Sequence, residues 1–133
     1  MGRIRKLPID TQSVLSLAAA IGNTFELRML SQVSESPVAH ILRTIHPALL
    51  SGLMVQLDED FKWLKIAEYH PDTVVIYQFL HDRVQQASYE LIHHDERPQI
   101  HLKIGNLLLE KLNENEIEEK LFGKFFNLKK TSI

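Results

Sequence analysis

The chain has no cysteine, and its five glycines are scattered through 133 residues. Without a thiol it can form neither a disulfide nor a thiolate zinc site, which favours an intracellular, cytoplasmic setting. The phosphate-loop pattern G-x-x-x-x-G-K-[ST] and the nucleophile pattern G-x-S-x-G are both missing. We therefore expect a protein that is not an enzyme and that holds no cofactor by itself.

Long apolar runs and an excess of one charge are missing as well. No stretch approaches the roughly 20 apolar residues of a membrane span, and the basic start MGRIRKLPID lacks the apolar core of a secretory signal. The formal net charge of -2 gives no broad attraction to nucleic acid or to an anionic membrane. We expect neither as a partner.

Apolar residues make up 44% of the chain, which is enough for one core. Their spacing predicts three helices, followed by a short strand over 53–57, an arm over 58–73 and a returning strand. This order predicts a mainly α fold with a small β-hairpin, arranged as a winged helix. The predicted helices begin at Asp10 or Thr11, at Glu26, and at Ser36 with Pro37.

The stretch Val74–Leu91, VVIYQFLHDRVQQASYEL, joins a strand-like run to an amphipathic helix. Its start is β-branched and aromatic, whereas the apolar residues after it follow helical spacing. His81 and Asp82 lie where the period changes, at a helix start whose N–H groups and positive dipole end attract anions. The junction therefore either holds an anion or caps its own helix.

Two other polar groups raise the possibility of metal or acid–base chemistry. The carboxylates at 58–60 fit a solvated turn better than a paired catalytic site. His93, His94 and His101 are spaced poorly for chelation, because the last two lie two helical turns apart. We predict no metal site in the chain.

A winged helix also raises the hypothesis of DNA binding, with the helix Pro37–Leu50 in the major groove. Arg43 is its single permanent cation, beside His40 and His46, whereas groove readers need Arg or Lys. Trp63 in the arm is the other candidate contact. Packing of the arm on another domain is the favoured alternative.

The segment FLHDRVQQASYELI, residues 79–92, resembles a signature of bacterial signalling ATPases of the STAND class. It is most similar to proteins that join a serine/threonine kinase, an ATPase core, helical repeats and a sensor histidine kinase. Three further segments resemble the same proteins, and the likeness continues to about Phe122. These are KLPIDTQSVLSLAAAIGNTFELRML (6–30), HPALLSGLMVQLDEDFKWL (46–64) and ERPQIHLKIGNLLLEKL (96–112).

The resemblance implies a regulatory lid of winged-helix type that docks on an adjacent ATPase domain. His81 would contact the phosphates of ADP held by that domain, and Asp82 would cap the helix or orient the imidazole. ADP and ATP would belong to the intact parent protein and not to this chain. The implied partners are the ATPase domain and the helical repeats that follow the lid.

The expected organisation is a linker over 1–9, a winged-helix-like domain over 10–92 and a helical segment over 93–133. The helical segment would be the start of an array, truncated or divergent after about residue 122. Two alternatives stay open. One is a stand-alone DNA-binding transcription regulator, and the other is a small scaffold that self-associates through the apolar tail at 121–128.

Overall fold

The computed structural model describes residues 2–57 and 74–112, which contain six α-helices and three short strands. The helices are α1 (Gly2–Arg5), α2 (Ile9–Ile21), α3 (Leu27–Ser34), α4 (Val38–Leu50), α5 (Asp82–Glu90) and α6 (97–112). The strands are β1 (Thr24–Glu26), β2 (Met54–Gln56) and β3 (Ile76–Phe79). A 3-10 turn at His94–Glu96 leads into α6. Among these residues, no helix is both long and apolar enough to cross a bilayer.

The three strands form one antiparallel sheet in the order β1-β3-β2. Tyr77 in the central strand pairs with Phe25 on one side and with Gln56 on the other. The prediction of a mainly α fold with a small β element is confirmed. The sequence did not predict β1, because three residues are too few to show a period of two. This strand is defined by its pairing with β3, about fifty residues further along the chain.

The core lies between the inner face of the sheet and the helices α2, α3 and α4. Phe25, Tyr77 and Phe79 point inward, with ring centroids 5.9 Å apart for Phe25 and Tyr77 and 5.6 Å apart for Phe25 and Phe79. Each helix adds fully buried branched side chains to this aromatic layer, which include Leu15, Leu30, Ile41 and Ile45. Burial of these side chains is the main stabilising contribution.

A buried hydroxyl joins α2 to α4. Thr11 is 2% exposed, and its Oγ1 donates a hydrogen bond of 2.7 Å to the carbonyl of Thr44. The predicted start of this helix at Asp10 or Thr11 is one or two residues late: α2 begins at Ile9, and its N-cap is Pro8, whose carbonyl accepts from the Gln12 N–H. The hydroxyl of Thr11 is used in a contact between helices instead of a local one.

The first residues fold back onto the domain, which contradicts their prediction as a linker. Ile4 and Leu7 are buried, and α1 packs against α2 and α5. Arg3 Nη2 donates to the carbonyl of Ser51 at 2.7 Å. Ile4 lies in α1 and Leu7 follows it in a turn closed by the hydrogen bond from the Leu7 N–H to the Ile4 carbonyl at 3.0 Å, and the charged residues around them obscured this pattern.

We expect Ile4→Ala to lower the free energy of unfolding by about 2–4 kcal/mol, because it leaves a cavity under α1. Ile9→Ala is the matched control, since Ile9 is 79% exposed, and it should change stability by less than about 0.5 kcal/mol. Urea unfolding of both variants measures the difference. Equal effects of the two substitutions would contradict the docking of α1.

Candidate functional site

The junction between β3 and α5 is held in place from both sides. The N–H of Phe79 donates to the carbonyl of Asn23 at 3.0 Å, and the N–H of Leu80 donates to the carbonyl of Leu53 at 3.1 Å. Leu80 is the residue directly before His81. The backbone that presents the histidine is thus fixed by hydrogen bonds to segments on both sides of β3.

His81 occupies the N-cap position of α5 in an extended conformation, with φ -139° and ψ 143°. Its carbonyl accepts from the N–H groups of Val84 and Gln85 at 3.0 and 3.3 Å, but its side chain makes no capping hydrogen bond. The imidazole is exposed. It therefore lies beside the positive end of the helix dipole, where its ring N–H can be offered to an anion.

Asp82 is the first residue of α5, so the N-cap position predicted for it is taken by His81. Its carboxylate is exposed and lies in the first turn, where negative charge is favourable. Arg83 follows and is also exposed. The junction thus presents an imidazole, a carboxylate and a guanidinium in succession, and the phosphate and orienting roles of the first two stay predictions.

The opposite face of α5 is packed against α2. Ala87 and Ser88 are buried, and Gln85 Nε2 donates to the carbonyl of Ala19 at 3.1 Å. The next residue, Gln86, is exposed. The partner of Gln85 is 66 positions away, so no local pattern marks this contact. It satisfies one of the last carbonyls of α2.

The N-terminal segment lies at the same end of the sheet as His81. Arg3 donates to Ser51, and two residues later the carbonyl of Leu53 receives the N–H of Leu80. Because α1 also packs on α5, the beginning of the described chain and the junction are neighbours. Sequence reasoning missed this proximity since it had assigned residues 1–9 to a linker.

A polar cluster lies at the far end of α5. Tyr89 OH is 2.8 Å from His101 Nε2, and the guanidinium carbon of Arg97 is 4.6 Å from the centre of the Tyr89 ring. Arg97 also donates to His94 Nδ1 at 3.2 Å. His93 Nδ1 accepts from the Asp95 N–H at 3.2 Å, so all three histidines considered as metal ligands have other partners. In the described ranges, no three His, Cys, Asp or Glu side chains are grouped to hold a metal ion.

The remaining predicted contacts are distributed over the surface or lie outside the described residues. His40, Arg43 and His46 are exposed on α4. The carboxylates at 58–60 and Trp63 fall within 58–73, and the apolar tail at 121–128 falls within 113–133, so these predictions lie outside the described ranges.

Comparison with known proteins finds sequence similarity to a signalling protein. The chain is 28% identical over 131 residues to hybrid signal transduction histidine kinase G of Dictyostelium discoideum. The match covers 81% of this chain and 4% of that protein, so the chain spans a small part of its relative. No protein-family model and no solved structure matches the chain. The chain is therefore similar to a segment of a signal-transduction protein.

We expect Gln85→Ala to lower the free energy of unfolding by about 1 kcal/mol, since it leaves the carbonyl of Ala19 without this donor. Gln86→Ala is the control because Gln86 is exposed and reaches only Glu90, at 3.4 Å. Thermal and urea unfolding compare the two variants. A larger effect for Gln86→Ala would contradict the role given to Gln85.

Proposed function

We propose that this chain is a non-catalytic regulatory lid of a STAND-class signalling ATPase, which couples the nucleotide state of an adjacent ATPase domain to signal transduction. The observation that carries the proposal is the position of His81. It is exposed at the N-cap of α5, directly after the central strand, and its side chain does not cap the helix. The similarity to a signal-transduction histidine kinase supports the same general role.

The topology supports the assignment to a winged helix. From α2 onward the elements run helix, strand, helix, helix, strand, strand, and β3 lies between β1 and β2. This is the order expected when a hairpin packs beside a three-helix core. In such a lid the β3–α5 junction is rigid, because β3 is paired on both sides and α5 is packed on α2.

The chemistry of the junction suits a shared phosphate site. The imidazole of His81 donates to a phosphate oxygen, and the positive end of α5 favours the negative charge. The chain has no phosphate loop, so the neighbouring ATPase domain supplies most of the contacts. ADP then links the two domains in a closed state, and loss of this contact releases the lid.

The DNA-binding alternative has less support from the surface of α4. Arg43 is the single Lys or Arg in Val38–Leu50, and His40 and His46 add charge only when protonated. Phosphate contacts dominate the affinity of DNA-binding proteins and require several cations. Salt-sensitive binding to duplex DNA in a mobility-shift experiment would favour this alternative instead.

The lid is tested in a protein that carries this chain together with its ATPase domain. We expect His81→Ala to accelerate ADP release by about 10-fold or more, because it removes a hydrogen bond to a charged group. Release of a fluorescent ADP analogue measures the rate. His40→Ala is the matched control, since His40 is exposed on α4. Unchanged ADP release in His81→Ala would refute the proposed contact.

For the chain alone we expect no measurable binding of ADP or ATP up to about 1 mM, because an isolated imidazole and helix end supply few of the hydrogen bonds needed to hold a phosphate in water. Isothermal titration calorimetry with Mg²⁺ present measures it. Micromolar affinity would show that the chain contains its own nucleotide site and does not depend on a neighbouring domain.

A further inference from the structure

Helix α6 has a sparse contact with α3. Within residues 97–112, Ile104 is the one buried side chain, at 5% exposed. It packs with Met29 and Val33 of α3 in a cluster separate from the main core. Partly buried residues border this cluster from α6 and from α2: Ile100, Leu107, Leu17, Ala20 and Ile21. With one buried side chain of its own, α6 still buries less apolar surface than α2, α3 or α4 does.

Two ion pairs lie along the same contact. Lys103 Nζ is 2.8 Å from Glu35 Oε2, and Lys111 Nζ is 2.5 Å from Glu26 Oε2. The two acidic residues directly flank α3. The two lysines are eight residues apart, which places them about 12 Å apart along the helix axis. The hydrogen bond from Lys103 and its positive charge lower the pKa of Glu35 from its ordinary value.

One end of the contact is open to solvent. A surface groove of about 180 Å³ lies between α3 and α6, beside the Lys111–Glu26 pair. Met29 and Leu107 line it together with polar side chains, which include Arg28 and Gln32. Most of the lining side chains are exposed, so water reaches this end of the α3–α6 contact and the Lys111–Glu26 pair.

Docking does not bury the other apolar side of α6. Leu102, Leu109 and Leu112 are 65%, 58% and 60% exposed, and their spacing of seven and three places them on one stripe. In its docked position α6 therefore leaves this apolar stripe exposed, while Lys103 and Lys111 are paired.

The start of α6 is held differently from the rest of the helix. Arg97 lies over the ring of Tyr89 and donates through Nε to the carbonyl of Ile92, and Tyr89 OH is hydrogen-bonded to His101. These contacts join α6 to the end of α5 and do not involve α3.

We propose that α6 is a hinged arm, which pivots at the Arg97–Tyr89–His101 cluster and is latched to α3 by the pairs Lys103–Glu35 and Lys111–Glu26. Opening the latch uncovers Met29 and Val33. Because the pairs are partly exposed, salt weakens them, and the docked fraction falls as ionic strength rises. The proposed movement of α6 depends on the α3–α6 contact and not on nucleotide binding.

The absence of cysteine allows site-specific spin labelling of the full chain. Labels are placed at Arg43→Cys on α4 and Asn106→Cys on α6, both at exposed positions. We expect pulsed electron paramagnetic resonance to show one distance at low salt and an additional population at a different distance in 1 M salt. Reversing both lysines, Lys103→Glu and Lys111→Glu, should raise the undocked-to-docked ratio about tenfold.

Adding Glu35→Lys and Glu26→Lys to the reversed lysines restores opposite charges and should restore the single distance. Lys6→Glu, at an exposed position on the N-terminal segment, changes the net charge by as much as one of the two reversals and should leave the distance unchanged. Circular dichroism checks that each variant is folded. If the reversed variant unfolds, the salt titration of the labelled chain tests whether α6 separates from α3. The proposal is overturned if neither salt nor charge reversal changes the distance distribution. It is also overturned if Lys6→Glu shifts the distribution equally.

Discussion

The structure depends on β3, a strand of four residues that is hydrogen-bonded on both sides. Its pairing with β1 and β2 turns Tyr77 and Phe79 inward against Phe25, and this aromatic layer gives the helices a surface to pack on. A slip of one residue would turn these side chains outward and place Gln78 inward. Because α5 begins soon after β3, the register of the sheet also fixes the position of His81.

A continuous series of contacts runs from this strand to the last described helix. The end of β3 holds the start of α5, and Gln85 ties α5 to α2. At the other end of α5, Tyr89 meets Arg97 and His101 of α6. The proposed phosphate contact and the proposed arm therefore lie at opposite ends of one short helix, which connects them through rigid local geometry. Each proposal has its own structural basis, but α5 is common to both.

The sequence predicted the elements whose signal is local and missed those formed by distant partners. Apolar spacing located the three core helices and the strand at 53–57, and the change of period placed His81 at a helix start. The strand β1 depends on pairing with β3, and the bond from Gln85 depends on a carbonyl 66 positions away. Neither leaves a periodic pattern. The possible ligand of His81 came from the resemblance, since an exposed imidazole alone does not identify one.

The residue directly after α3 is Glu35, its C-cap, which adopts a left-handed conformation with φ 54° and ψ 40°. Glycine takes up this conformation without the steric cost that a side chain has there. Yet the carboxylate that glycine would lack is the one that meets Lys103. At position 35, a more stable end of α3 therefore favours glycine, whereas retention of α6 favours glutamate. A sequence under pressure only for thermal stability would drift towards glycine, whereas one that needs the docked arm would keep an acidic residue.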